Sequence, residues 1–194
     1  VVVYDDKSGA NAAARFWWLL RAVGHTSVQV VDGGFDSIVR EKLPMSSSLS
    51  VPNATTPYHV VAWNNPTVSI DDVQTSLKDK SALVVDVREG YRYRGEKEPI
   101  DLIAGHIPGA INLPYLNSLA ADGHFLPVEE LAAQFKTVLS RRQPPQIIVH
   151  CGSGVTACHT LLAMEQAGMG GASLYVGSWS EWSRRDLPIA TGDR

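Results

Sequence analysis

A cysteine at the end of a strand-like run is the residue of this sequence best suited to chemistry. Cys151 follows the apolar run 147–150 and precedes the glycine-containing segment 152–156, after which a helical pattern occupies 157–166. Backbone N–H groups of such a loop can point towards the sulfur, and the start of a helix adds a partial positive charge. Both effects favour the thiolate, which is the nucleophilic form of cysteine. The segment therefore predicts an activated thiol.

A buried structural cysteine is the alternative for Cys151, because free cysteines are among the most buried residue types. Gly152 and Gly154 argue against it, since a core cysteine does not need neighbouring glycines, whereas glycines in a turn let the backbone approach a ligand closely. The hydroxyls of Ser153 and Thr156 could donate to the sulfur or to a substrate carbonyl. A helix N-cap is an equally good interpretation of either residue.

Charged side chains that could assist the thiol follow another strand-like run. Asp86 and Arg88 close the run 83–88, and Arg92 lies in the segment 91–95, rich in tyrosine and arginine. Arginine suits a planar carboxylate or a sulfur oxyanion because its guanidinium donates two parallel hydrogen bonds. A solvated basic loop, or an Asp86–Arg88 pair that braces the loop, is the competing interpretation.

Three histidines could in principle supply a base or a metal ligand. His106 lies in a turn-rich segment, which favours a structural hydrogen bond over a role as a base. His150 and His159 flank the cysteines Cys151 and Cys158, but this spacing matches no common zinc pattern. We therefore predict no metal site and no cofactor.

The overall composition is that of a soluble globular protein, with 44% hydrophobic and 19% charged residues among 194 and a net charge of −3. No basic run supports nucleic-acid binding, and no apolar stretch approaches the length of a membrane span. Two cysteines seven residues apart favour reduced thiols over a structural disulfide. We therefore expect a cytoplasmic protein with no nucleic-acid and no membrane partner.

An internal repeat divides the sequence. Residues 1–9 and 30–38 resemble residues 147–154 and 174–182, in each case as a strand and a turn that lead into a helix. In the earlier copy Asp5 stands at the position that the cysteine takes in the later copy. A carboxylate cannot do thiol chemistry, so we predict that only the later copy is catalytic.

The repeat predicts three regions. Residues 1–45 would be the C-terminal half of a non-catalytic domain, residues 46–60 a linker rich in Ser, Thr and Pro, and residues 61–194 a complete catalytic domain. The chain opens directly on a strand-like run without Met. We therefore expect the first half of the earlier domain to be missing from this chain and to be a partner of it.

Strand and helix patterns alternate in the region 61–194, which predicts an α/β fold with a parallel sheet flanked by helices. Ligands of such sheets bind at the carboxyl ends of strands, where Cys151 lies. The predicted strands are 83–87, 110–113, 147–150 and 173–176. The predicted helices are 70–77, with Ser69 and Asp72 as a capping box, then 127–140, 157–166 and a short helix from Ser178, with Trp179 and Trp182 in the core.

Three segments together resemble the tandem-domain rhodanese sulfurtransferases, in particular those that use 3-mercaptopyruvate: residues 86–110, 151–157 and 177–182. In that family two rhodanese domains lie side by side and only the C-terminal one carries the cysteine, which agrees with Asp5 in the earlier copy. The resemblance implies a rhodanese-like sheet, complete in the later copy and half present in the earlier one.

The resemblance also implies roles for individual residues. Cys151 would take a sulfane sulfur from 3-mercaptopyruvate as a persulfide and pass it to cyanide or to a thiol, with thioredoxin among the thiol acceptors. Arg92 would bind the carboxylate of the donor, with Asp86, Arg88 and His106 in support. The loop that would surround the outer sulfur consists of Gly152, Ser153, Gly154, Val155 and Thr156.

Two features of the sequence bear on the donor: the loop after the cysteine matches the mercaptopyruvate type, and one arginine of the family pattern is absent. Relatives that use thiosulfate tend to carry basic residues after the cysteine, whereas Gly152 and Ser153 are neutral here. A second family arginine falls near Ile100 in this chain. The His and Asp proposed to work with the family's counterpart of Ser153 belong to the N-terminal domain and would lie in the missing half.

Three other functions remain open at this point. Thiosulfate:cyanide sulfur transfer differs only in the donor. A non-catalytic rhodanese module, which binds or regulates, usually lacks the cysteine that this chain retains. A related phosphatase or arsenate reductase needs a longer loop that ends in arginine six residues after the cysteine, where this chain has Ala157.

Overall fold

The fold is described by a computed structural model that covers residues 1–49, 51, 53–140 and 142–193. Within these residues a five-stranded sheet and a two-stranded sheet are both entirely parallel. The strands are β1 (Val2–Val3), β2 (Gln29–Val30), β3 (Thr67–Val68), β4 (Leu83–Asp86), β5 (Ile111–Asn112), β6 (Ile147–His150) and β7 (Ser173–Tyr175). The helices are α1 (Ala13–Ala22), α2 (Gly34–Arg40), α3 (Ile70–Asp79), α4 (Gly90–Tyr93), α5 (Val128–Val138), α6 (Ala157–Gln166) and α7 (Ser178–Trp182).

The large sheet has the order β3-β7-β6-β4-β5, which places β6 at its centre. All four residues of β6 are buried, as expected of a central parallel strand covered on both faces. Cys151 follows β6 directly, so the sheet delivers the thiol to the carboxyl end of its central strand. The predicted parallel α/β sheet is confirmed.

Alternate residues of the strands face two separate apolar cores, since successive side chains of a strand point to opposite faces. Val149 packs into a cluster with α1, α5 and α6, and Ile148 packs into another with α3 and α7. Trp179 and Trp182 are buried in this second cluster, which confirms their prediction as core residues. Helices therefore cover both faces of the sheet.

The two copies of the repeat have matching strand pairing. β1, α1, β2 and α2 follow one another in the same order as β6, α6, β7 and α7. Val3 pairs with Val30 in the small sheet as Val149 pairs with Leu174 in the large one, and these are the positions that the repeat aligns. The helices α1 and α6 pack on each other, and Arg21 forms an ion pair with Glu165 at 2.7 Å between them.

Several element boundaries agree with the sequence patterns. Helix α6 spans the predicted residues, and Ser69 and Asp72 form the predicted capping box of α3. Helix α5 is shorter than predicted, because the chain adopts a positive φ at Ser140. The strand β3 and the helix α4 were not predicted; they are two and four residues long, too short for a periodic pattern.

The segment predicted as a linker, residues 46–60, contains no helix or strand where the structure describes it, and Ser50 and Pro52 lie outside the described residues. No helix in the described part of the chain is long and apolar enough to cross a membrane.

Candidate active site

Helix α7 holds the backbone of Cys151 at the end of β6. The carbonyl oxygen of Cys151 accepts a hydrogen bond from the N–H of Trp179 at 3.0 Å, and the Cys151 N–H donates to Oγ of Ser178 at 3.3 Å. Ser178 is fully buried and has a positive φ of 53°, a conformation that costs energy for a residue other than glycine. Its hydroxyl also donates to the Tyr175 carbonyl oxygen at 2.8 Å, which fixes its position.

The surroundings of the loop require glycine at position 154 and leave little room for a side chain at position 152. Gly154 has a φ of +75°, and a Cβ at this position would lie 2.7 Å from the carbonyl oxygen of Val176. A Cβ on Gly152 would lie 3.3 Å from Oδ2 of Asp101 and 3.6 Å from Nη2 of Arg92. The second measurement places Arg92 beside the residue that follows the cysteine.

The loop leaves hydrogen-bond donors without protein acceptors. Within the described ranges, no protein acceptor contacts the backbone N–H groups of residues 152–156. Thr156 occupies the N-cap position of α6, but its side chain makes no capping bond, and the Ser153 side chain is exposed. Thr156 therefore stands at the N-cap position without capping the helix through its hydroxyl, and five successive amides after Cys151 are available to an anion.

Arg88 braces the loop that follows β4. Its guanidinium, 1% exposed, forms an ion pair with Asp86 at 2.5 Å and another with Glu98 at 3.1 Å. Nη2 also donates to the Gly105 carbonyl oxygen at 2.6 Å, and the guanidinium lies 4.6 Å from the ring centroid of Trp179. These contacts agree with a bracing pair of Asp86 and Arg88.

Arg92 lies beside Gly152 and is surrounded by carboxylates. The surface around its guanidinium is called the mouth of the site below. Its guanidinium forms ion pairs with Glu98 at 2.7 Å, Asp101 at 3.1 Å and Glu89 at 3.4 Å. The side chain is 7% exposed, so the solvated basic loop considered from the sequence is wrong for both Arg88 and Arg92. A donor carboxylate would have to share Arg92 with these residues.

Glu98 and Asp101 organise the site, although no sequence pattern pointed to either residue. The Glu98 carboxylate accepts hydrogen bonds from both arginines and from the backbone N–H groups of Ile100 and Asp101. These bonds hold the pKa of Glu98 below its usual value although burial raises it. Asp101 binds Arg92 through Oδ2 and accepts a hydrogen bond from the Ser180 hydroxyl through Oδ1.

His106 makes a structural hydrogen bond within the fold. Its ring is fully buried, stacks on Tyr93 with centroids 3.7 Å apart, and donates from Nδ1 to the Tyr93 carbonyl oxygen at 2.8 Å. The prediction of a structural hydrogen bond is confirmed. The described residues also contain no group of three or more His, Cys, Asp or Glu that could hold a metal ion.

The second cysteine faces the earlier copy of the repeat. Cys158 is fully buried, and burial raises the pKa of its thiol to about 12. Nη1 of Arg15, on α1, lies 3.6 Å from the Cys158 sulfur and donates to the Gly154 carbonyl oxygen at 3.3 Å. A residue of the earlier copy therefore contacts the loop that carries Cys151.

The counterpart loop of the earlier copy is filled by its own side chain. The Asp5 carboxylate accepts hydrogen bonds of 2.8 to 3.1 Å from five backbone N–H groups of the loop, those of Lys7, Gly9, Asn11, Ala12 and Ala13. Burial raises the pKa of Asp5, but these bonds outweigh it and lower the pKa below 3.8. A strand–loop–helix unit of this repeat thus binds an anion at the strand end.

Comparison with known proteins places this geometry in a family. Residues 69–185 match the family described as "Rhodanese-like domain". The chain is 41% identical to the probable 3-mercaptopyruvate sulfurtransferase of Pseudomonas aeruginosa, covering 100% of this chain and 68% of that protein. It is 38% identical to the thiosulfate sulfurtransferase of Rattus norvegicus, covering 97% of this chain and 64% of that protein.

Solved structures include a chain of the same fold. The 3-mercaptopyruvate sulfurtransferase from Leishmania major superposes with a TM-score of 0.76 at 32% identity, covering 94% of this chain and 51% of that chain. The present chain therefore spans about two thirds of the length of the two curated relatives and about half of the solved one. From the family match, the identities and the parallel sheet with a cysteine at the end of its central strand, we conclude that this chain belongs to the rhodanese family.

Proposed function

We propose that this chain carries the active site of a sulfurtransferase, in which Cys151 accepts a sulfane sulfur as a persulfide and passes it to a thiol or to cyanide. The observation that supports this most is the set of amides at residues 152–156 that find no acceptor among the described residues, next to a thiol at a strand end. Amides of the corresponding loop after Asp5 already bind an anion. A thiolate or a persulfide anion needs this kind of environment.

The proposed reaction has two steps. The Cys151 thiolate attacks the sulfur of 3-mercaptopyruvate; a sulfur–sulfur bond forms, the donor's carbon–sulfur bond breaks, and its electron pair leaves as the enolate of pyruvate, which takes a proton. An acceptor thiolate then attacks the outer sulfur, which restores the Cys151 thiolate. Gly152, Ser153, Gly154, Val155 and Thr156 would stabilise the negative charge in both steps.

Arg92 is the residue we assign to the donor's carboxylate, because it lies beside Gly152. Its three carboxylate partners position the guanidinium but also compete for it. Neutral residues at 152 and 153 suit a monoanionic donor better than the thiosulfate dianion, which supports 3-mercaptopyruvate. Thiosulfate is the second candidate, supported by the 38% identity to a thiosulfate sulfurtransferase.

We further propose that residues 1–45 are the C-terminal half of a non-catalytic rhodanese-like domain, joined through residues 46–60 to a catalytic domain at 61–194. The matching register of the two copies supports this. Arg15 would make the earlier copy one wall of the site, and a first half-domain would extend that wall. Thioredoxin would serve as a thiol acceptor in the cytoplasm, where both free thiols stay reduced.

A side-by-side rate measurement with the two donors tests the function. The natural full-length protein should transfer sulfur to a thiol or to cyanide with a higher kcat/KM for 3-mercaptopyruvate than for thiosulfate. A preference for thiosulfate would select the second candidate. If neither donor supported transfer, the retained cysteine would serve a binding module, and the enzymatic proposal would fail.

A further inference from the structure

The donor site holds an excess of negative charge. Two guanidiniums, those of Arg88 and Arg92, face four carboxylates. Ile100, where the resemblance implies a second donor-binding arginine, is 75% exposed and carries no charge. Three of these carboxylates, those of Glu89, Glu98 and Asp101, surround the Arg92 guanidinium that would bind the donor, which is unfavourable for an anion.

Another arginine reaches the mouth of the site from a different element. Arg184 follows the C-cap of α7, and its Nη1 donates to the carbonyl oxygen of Ser180 at 2.5 Å. The same nitrogen lies 3.6 Å from Oδ1 of Asp101, while 55% of the side chain is exposed. Among the described residues these are the recorded polar contacts of its guanidinium, so Nε and Nη2 remain available as donors.

Asp101 connects this arginine to the thiol loop. Its Oδ2 binds Arg92 at 3.1 Å and lies 3.3 Å from the Cβ position of Gly152. Arg184 and Arg92 therefore contact the two oxygens of one carboxylate, beside the residue that follows Cys151. Helix α7 also fixes the distance between them, because the N–H of Ser180 donates to the Gly152 carbonyl oxygen at 2.7 Å.

We propose that Arg184 is a further donor-binding residue, whose guanidinium binds the carboxylate of the sulfur donor and takes over the charge that Ile100 does not provide. This inference rests on the proposed sulfur transfer from 3-mercaptopyruvate. Arginine suits the role because its planar fork can bind the donor's carboxylate through two nitrogens while Nη1 keeps its contact with Ser180. An exposed cation also raises the local concentration of an anionic donor at the mouth.

Arg184→Ala tests the proposal against a matched neighbour. The apparent KM for 3-mercaptopyruvate should rise roughly three- to tenfold at low salt, with kcat little changed, as for a lost charge-assisted contact that is partly exposed. Arg185→Ala is the control, since Arg185 is 62% exposed and its recorded partner is Glu181 on its own helix. Equal KM values for the two variants would overturn the proposal.

A second variant separates donor binding from bracing of Asp101. The double variant Arg184→Ala/Ile100→Arg places a positive charge near Arg92 from another backbone position. Its KM should therefore fall back most of the way to the value of the unsubstituted protein. Failure to recover would assign Arg184 to the support of Asp101 and contradict donor binding.

Binding of pyruvate, which carries the same carboxylate, distinguishes this inference from the proposed function. Ligand-observed NMR should show weaker pyruvate binding to the Arg184→Ala protein than to the Arg185→Ala protein. If that held while 3-mercaptopyruvate gave no turnover, the carboxylate site would stand and the sulfurtransferase proposal would fail. Equal pyruvate binding by both variants would remove Arg184 from the site.

Discussion

The Asp5 loop and the Cys151 loop are two versions of one structural unit. Each begins at the end of a parallel strand and leads into a helix, and the strands pair in the same register. In the first loop five amide N–H groups bind the Asp5 carboxylate. In the second, the amides of residues 152–156 have no acceptor among the described residues. The unit therefore provides an anion site, and the residue at the strand end decides what the site does.

The comparison also explains why the loops differ in reactivity. A carboxylate that permanently fills the amide site stabilises the loop but leaves no room for a ligand. A thiol is a weaker acceptor, so the amides next to Cys151 stay available to a charged sulfur species. One copy thus uses the site for structure and the other can use it for chemistry.

The largest effect should come from substitution of Cys151, the residue at the strand end of the second loop. Cys151→Ser should reduce sulfur transfer by more than about a thousandfold, because it removes the nucleophile. Cys158→Ala is the control: the Cys158 thiol, with a pKa of about 12, holds almost no thiolate at neutral pH. This variant should keep most of its transfer rate, and a loss as large as that of Cys151→Ser would contradict the assignment.

A smaller but still large effect should follow when a Cβ is added to a glycine of the second loop. Gly154→Ala would place a Cβ 2.7 Å from the Val176 carbonyl oxygen at a φ of +75°, so the loop must move and transfer should fall. The free energy of unfolding should drop by about 2–4 kcal/mol. Gly168 has a φ of +73° with no heavy atom within 4 Å of its Cβ position, so Gly168→Ala should cost only about 1 kcal/mol. Equal urea-unfolding values would show that the close contact does not matter.

The third effect, on the affinity for the donor, should follow when the cation of Arg92 beside the second loop is removed. Arg92→Ala should raise the apparent KM for 3-mercaptopyruvate about tenfold, since a charge-assisted hydrogen bond to the donor is lost. Arg94→Ala is the control, because Arg94 is 38% exposed and pairs with Glu96. An unchanged KM in the Arg92 variant would remove this residue from the donor site.

Removal of the carboxylate from the first loop should reduce stability without abolishing chemistry. Asp5→Ala leaves five amides without their acceptor and should lower the free energy of unfolding by about 2 kcal/mol at neutral pH, allowing for partial exposure. Because the folded pKa lies below 3.8, this contribution is present above the unfolded pKa and is lost as the pH falls through the folded value. Asp6→Ala, at the exposed neighbour, should show no such loss in urea unfolding followed from pH 7 to pH 3.

The smallest effect should come from the contact between the two copies. His159 is fully buried against Phe125, next to the loop of Asp5, and burial lowers its pKa to about 4. The unfolded chain binds a proton nearer pH 6.5, so this histidine makes the protein less stable as the pH falls between 6.5 and 4. His159→Phe should remove about 1 kcal/mol of that loss at pH 5.5. An unchanged acid dependence of unfolding would contradict a neutral buried His159.

The second loop could be predicted from sequence because its signals are local. The apolar strand, the cysteine and the glycines are adjacent in the chain, and helix α6 begins and ends at the predicted residues. The repeat identified Asp5 in the same way, since it compares short segments. The parallel sheet followed from the alternation of strand and helix patterns.

The contacts of the charged residues could not be predicted, because they join segments far apart in the chain. Asp101 meets Ser180 across 79 positions, and Arg15 meets Gly154 across 139. Burial of Arg92 depends on carboxylates that look in the sequence like ordinary surface residues. The five hydrogen bonds to Asp5 depend on the path of the backbone, which residue types alone do not specify.

Mass spectrometry of the natural full-length protein after brief exposure to 3-mercaptopyruvate is the most direct test of the difference between the two loops. The peptide that contains Cys151 should gain the mass of one sulfur atom, and a thiol acceptor should remove it at the rate of turnover. The Cys151→Ser protein should gain none. Absence of the added sulfur on Cys151 during active transfer, or its appearance on Cys158 instead, would contradict the assignment of the second loop as the site of sulfur transfer.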